Sequence, residues 1–256
     1  MVDEYQTSLS RHDDESITVR DRDLSSEIMG EMDFGSAVYL LLTGEEPSED
    51  EQVLVNAMLS SIMVHGTTPH AIAARLTHLS EPNVTQAAVA SGLLGVGSRF
   101  AGAMEECSRD LQSITAADDI DDGITELVDS YRESEEHFSG IGHPNFEGTD
   151  PRAERLFALA EEADVAGIHV DVLFELQERF ESETQQDLPV NVTGAVGAIS
   201  ADMGLPPEAA RGFAIISRAA GLIAEVIEEK HSPVAMDIWQ YVDEKMSYQP
   251  DGPGPE

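Results

Sequence analysis

His143 and Arg152 belong to one short run, Gly140-Ile141-Gly142-His143 through Asp150-Pro151-Arg152. Asp150 suits a helix N-cap and Pro151 the first helical position, which puts Arg152 in the first turn. A helix N-terminus favours anions, and an arginine there adds a forked carboxylate clamp. One loop can therefore offer a proton-transfer group beside a carboxylate site. The alternative is a structural turn histidine and an exposed arginine. Arg218 has Ala214, Ile215, Gly221 and Leu222 as its helical neighbours, and none of them can pair with it. On a small, apolar face its charge needs a partner from elsewhere, either a ligand carboxylate or a distant Asp or Glu. His65 interrupts the helical pattern in Val64-His65-Gly66-Thr67-Thr68, where a loop can line a pocket or hold a satisfied histidine. His65, His70 and His78 lack zinc-site spacing and no cysteine joins them, so no metal or redox cofactor is expected.

The elements that must position these groups read as helices. Residues 6–23 alternate and predict a small hairpin or extended arm. Leu24 to Leu42 carries two short helical patterns, closed by Gly44. Ser48 with Glu51 three residues on is a capping box opening the next helix. Helices are then predicted from Pro69 to His78 and from Asn83 to Arg109, the second containing Gly92, Gly95, Gly97 and Gly102. Those glycines together cost several kcal/mol of helix propensity, at about 1 each, which close helix–helix contact would offset. The run Gly95 to Gly102 resembles a phosphate loop only loosely, lacks dinucleotide-fingerprint spacing and follows no strand, although Arg99 can still reach a ligand. Amphipathic helices follow from Pro151 to Ala163 and from Val170 to Glu183. A small-residue helix runs from Pro189 to Ala201, a long apolar one from Phe213 to Glu229, and a last element from Pro233 to Met246. The acidic residues between 113 and 140 read as a solvated loop and helix face. Residues 247–256 read as a flexible tail.

Fifty acidic side chains against fourteen Lys and Arg give a net charge of −36 over 256 residues, which argues against nucleic-acid or anionic-membrane partners. Recurrent apolar helical runs argue against disorder. The composition fits an ordered protein of a salt-rich cytoplasm, whose carboxylate surface keeps it soluble while salt screens self-repulsion. One cysteine excludes a disulfide framework. The start lacks a signal pattern and no apolar run is long enough to span a bilayer, so a cytoplasmic location is expected.

Several segments in order resemble the citrate synthase superfamily, and more closely the citryl-CoA lyase module of ATP-citrate lyase. They are Thr7-Ser8, Leu40-Leu41-Leu42-Thr43-Gly44 to Pro47, His65-Gly66, Gly92-Leu93-Leu94 through Gly97-Ser98-Arg99-Phe100 to Ala103, the run from Gly140 to Arg152, and Ser217-Arg218-Ala219-Ala220-Gly221. The resemblance covers nearly the whole chain. It implies an all-α, two-lobed helical fold with a short N-terminal β arm, opening and closing over its ligands. The expected large domain is 1–104 plus 217–256 and the small domain 105–216.

The resemblance further implies retro-aldol cleavage of citryl-CoA, or of a related 3-hydroxy-acyl-CoA, to acetyl-CoA and oxaloacetate. The alternatives are condensation of acetyl-CoA with a 2-oxo acid, or a non-catalytic citrate- or CoA-binding relative. The coenzyme A thioester is then a substrate, and the assembly a homodimer or higher homo-oligomer. His143 matches the histidine at the oxaloacetate carbonyl, Arg152 and Arg218 the dicarboxylate arginines, and His65 a residue lining the same pocket. Arg99, Lys230 and Lys245 are the candidates for the CoA phosphates. The family's catalytic aspartate is here Thr193, in Asn191-Val192-Thr193, and a threonine hydroxyl is no base near neutral pH.

Overall fold

The computed structural model describes residues 5–134, 138–142 and 149–248. Three short strands, β1 (Ser10–His12), β2 (Ile17–Val19) and β3 (Arg22–Asp23), pair antiparallel in sequence order. The β2–β3 turn places Arg20 and Asp21 at positive φ, 49° and 62°. Arg20 then donates through Nε and Nη2 to the Leu41 carbonyl, which pins the hairpin to the last turn of the first helix.

Eleven α-helices follow among the described residues: α1 (Phe34–Thr43), α2 (Glu49–Ser61), α3 (Pro69–Ser80), α4 (Thr85–Gly97), α5 (Ala103–Thr115), α6 (Ile120–Ser134), α7 (Pro151–Glu162), α8 (Ile168–Thr184), α9 (Val192–Asp202), α10 (Pro207–His231) and α11 (Ala235–Lys245). The fold is the expected helical one with a short N-terminal sheet. The capping box of Ser48 and Glu51 forms as the sequence requires. The expected continuous helix from Asn83 to Arg109 does not. Gly97 takes φ +54°, a wide π turn covers Ser98–Gly102, and α5 begins afresh at Ala103. The glycines that lowered helix propensity here permit a break.

The chain divides into two compact units, 1–62 with 100–214 and 63–99 with 215–256. In the first, α9 is central. Ala195, Val196, Ala198, Ile199 and Ser200 are fully buried, and α5, α7 and α8 pack around them. Small residues make this possible: a Cβ on Gly197 would stand 3.0 Å from the Cys107 sulfur of α5. In the second unit, α3 packs on α4, α11 packs on α3, and Ala74, Ala88, Leu222 and Val226 form the core. Here a Cβ on Gly221 would come within 2.0 Å of the Met63 carbonyl oxygen, so only glycine lets α10 lie against that backbone. No single helix among the described residues is long and apolar enough to cross a membrane.

Candidate functional site

In the first unit, the N-termini of α7 and α9 are joined by one carboxylate. Asp150 caps α7 by accepting the Arg152 amide at 3.0 Å and also accepts the Val192 amide of α9 at 2.9 Å. It binds the Arg152 guanidinium through Nε at 3.0 Å and Nη2 at 2.8 Å. Burial opposes the charge of this carboxylate, which is only 1% exposed. The guanidinium and the two amides outweigh burial and hold Asp150 below the usual carboxylate range. Arg152 is thereby fixed as a half-buried cation at a helix N-terminus.

Asn191 organises the other side. Its side-chain oxygen caps α9 by accepting the amides of Thr193 at 2.8 Å and Gly194 at 3.2 Å, and its Nδ2 donates to Gly142 O at 2.7 Å. The backbone adds Asn191 N to Gly140 O at 2.9 Å and Gly142 N to Pro189 O at 2.7 Å. The segment 140–142 is thus laced to the chain leading into α9. Gly194 makes the approach possible, because a Cβ there would lie 2.6 Å from Gly140 O. Ser139 donates to Glu106 of α5 at 2.8 Å and fixes the start of the same segment. Thr193, at the second position of α9, is half-buried. His143 lies outside the described residues.

In the second unit, His65 sits exposed in the loop before α3, His70 is buried in the first turn of α3, and Arg218 is half-buried on α10. The three are electrostatically coupled. Burial first, then the charges of Arg218 and His65, bring His70 down to about 4, so it is neutral at ordinary pH. The Thr68 hydroxyl lies 2.8 Å from its Nε2. Lys230 is exposed in the last turn of α10, and Lys245, in the last turn of α11, stands 5.7 Å from the centre of the Tyr241 ring. Both cations complement helix C-termini. The Arg99 side chain lies outside what the structure describes. Among the described residues, no cluster of three or more His, Cys, Asp or Glu has the arrangement of a metal site.

Two groups escaped the sequence reading. Asp110 on α5 is pushed up to about 6 by burial, against the Tyr131 hydroxyl that donates to it at 3.2 Å. Arg75 on α3 is buried among Glu225, Glu228 and Glu229 of α10. Arg75 and its partners are about 150 residues apart in sequence, so no local pattern announces them.

Comparison with known proteins agrees with this architecture. Residues 4–239 match the family described as citrate synthase, C-terminal domain. The structure of citryl-CoA lyase from Hydrogenobacter thermophilus superposes with a TM-score of 0.85 at 30% identity, over 98% of this chain and 96% of that one. ATP citrate lyase from Methanosaeta concilii, solved in complex with (3S)-citryl-CoA, gives 0.79 at 19% identity, over 96% of this chain and 41% of that one. Citrate synthase from Thermotoga maritima gives 0.65 at 20% identity, over 85% and 57%. A search of curated proteins gave no match. A family match spanning most of the chain and a full-length structural likeness at 30% identity lead to one conclusion: the chain belongs to the citrate synthase family, with a citryl-CoA lyase-like or citrate synthase-like function.

Proposed function

We propose that the protein is a citryl-CoA lyase, cleaving citryl-CoA or a related 3-hydroxy-acyl-CoA to acetyl-CoA and oxaloacetate. The observation that carries this reading is the likeness to citryl-CoA lyase over 98% of this chain and 96% of that one, against 57% of the citrate synthase chain. Arg152 and Arg218 hold substrate carboxylates, and His65 helps to line the pocket. Asp150 fixes the orientation of the Arg152 guanidinium. His143 takes the proton of the tertiary hydroxyl. The carbon–carbon bond then breaks, its electrons pass to the acetyl-thioester enolate, and the former alkoxide becomes the oxaloacetate carbonyl. A proton delivered to the enolate carbon completes acetyl-CoA. Thr193 cannot supply it as an acid; its hydroxyl donates a hydrogen bond to the enolate oxygen or holds the water that does. Arg99, Lys230 and Lys245 remain the candidates for the CoA phosphates, and the working assembly is a homo-oligomer.

The test is oxaloacetate release from citryl-CoA in molar potassium chloride, followed through malate dehydrogenase. Release above the blank is expected. No release from protein shown to be folded by circular dichroism overturns the reading.

Thr193 favours a second reading, a relative that binds citrate or CoA without turnover. Thr193→Asp separates the two. The lyase reading expects the substitution to lower an existing activity, because threonine then belongs to the mechanism. Activity created from nothing would identify a binder that has lost its catalytic carboxylate.

A further inference from the structure

Segment 138–142 begins at Phe138, whose ring is 4% exposed. Tyr131 of α6 meets that ring edge-on, with centroids 5.6 Å apart and planes at 80°. Phe180 of α8 stacks on it at 5.9 Å and 26°. Tyr131 also meets Phe180 edge-on at 6.3 Å, so the three rings close a triangle. One corner is tied to a third helix, because the Tyr131 hydroxyl donates to Asp110 Oδ2 of α5 at 3.2 Å. Edge-on and stacked ring contacts are directional, so this cluster fixes how Phe138 lies as well as how deep it is buried. Beyond Phe138 the segment is held at each step. Ser139 donates to Glu106 at 2.8 Å, a Cβ on Gly140 would stand 3.1 Å from the Cys107 sulfur, and Ile141 pairs antiparallel with Val190. Gly142 donates to Pro189 O and accepts from Asn191 Nδ2, both at 2.7 Å. His143 follows Gly142 by one peptide bond.

Extended pairing has to be held in register, since a slip of one residue turns every side chain to the opposite face. The pairing of 140–142 with 189–191 is short, and two of its three members on this side are glycines with no side chain to lock it. Phe138 supplies the lock. We propose that Phe138, held by Tyr131, is a positioning residue for His143: the ring triangle sets the register of segment 138–142, and with it the point from which His143 leaves the pairing. The inference rests on the reading of His143 as the proton-transfer group. Arg152 is anchored separately, through Asp150 to the Val192 amide, so the triangle acts on the proton-transfer step and not on carboxylate binding.

Oxaloacetate release from citryl-CoA by the full-length protein in molar potassium chloride gives kcat and KM. Phe138→Leu keeps an apolar side chain but loses both ring contacts. It should lower kcat ~10- to 100-fold with KM within ~3-fold, because misplacing a reacting group by about 1 Å costs up to ~100-fold. Tyr131→Leu should act in the same direction, and Tyr131→Phe, which keeps the edge-on ring, should restore kcat to within ~3-fold of wild type. The deciding arm repeats Phe138→Leu in a His143→Ala background. There it should change the residual kcat by less than ~3-fold, since the group it positions is gone. A merely structural role predicts an equal loss in both backgrounds, or a loss shared between kcat and KM, and either result overturns the proposal. If Phe138→Leu does not fold by circular dichroism, the same arms with Tyr131→Leu decide. Wild-type protein that releases no oxaloacetate fails the lyase reading, and a kcat unmoved by His143→Ala fails the reading of His143; the proposal falls with either. A large loss for His143→Ala beside a wild-type kcat for Phe138→Leu defeats the present inference alone.

Discussion

Asp150 binds a charge, caps one helix and ties down another through a carboxylate that solvent barely reaches. Removing one partner of a buried pair leaves the other charge uncompensated, so Asp150→Ala should destabilise the protein by roughly 3–5 kcal/mol, read from denaturant unfolding. The pH dependence has a fixed sign. Asp150 is lowered in the folded state, so its contribution is complete above the ordinary carboxylate range and is lost as pH falls through the lowered value. The stability gap between wild type and Asp150→Ala should therefore close on acidification. A gap that stayed constant would mean that packing, not charge, carries the effect. Part of this was legible beforehand, since Asp-Pro-Arg announces a capped helix with an arginine in its first turn. The reach of Asp150 to Val192 was not, because it joins segments 42 residues apart. Arg218 teaches the same lesson: its local neighbours showed that it needed a distant partner, and only the fold brings the His70 ring of α3 into its field.

At the scale of elements, glycines decide how closely helices and loops approach, and the same residue type has opposite consequences at different places. Gly194 opens α9 beneath segment 140–142, and a methyl group there would sit 2.6 Å from a carbonyl oxygen held by the Asn191 amide. Neither backbone can yield cheaply, so Gly194→Ala should cost roughly 1–3 kcal/mol. Gly212, inside α10, has open space where a methyl group would stand, with nothing within 4 Å, so Gly212→Ala should stabilise by roughly 0.5–1 kcal/mol. Paired denaturation curves test both at once; a stabilising Gly194→Ala would show that the loop moves aside freely. Helix periodicity and caps made most elements readable, the Ser48 box among them. The break at Gly97 was not readable, because a glycine-rich helix packed closely and a helix broken at glycine share one pattern.

The whole molecule must fold against its own charge. A net charge of −36 on 256 residues makes the compact state self-repulsive, and several of the ion pairs among the described residues lie on the surface, where each contributes little. The Debye length falls from about 10 Å at 0.1 M salt to about 3 Å at 1 M, which separates exposed carboxylates electrically without disturbing buried pairs such as Asp150–Arg152. The thermal midpoint should therefore rise steeply as potassium chloride is raised from the lower of these concentrations to beyond the higher. Screening and the general strengthening of apolar burial by excluded solutes would both raise it, and they can be told apart. Sucrose acts by exclusion and does not screen. If screening dominates, potassium chloride should stabilise strongly at about 0.1–1 M, where sucrose of equal concentration does little. Mild acidification at low salt should then partly replace the salt by neutralising surface carboxylates. Equal effects of sucrose and salt, with no gain on acidification, would mean that the acidic surface serves solubility and leaves the stability of the fold to its core.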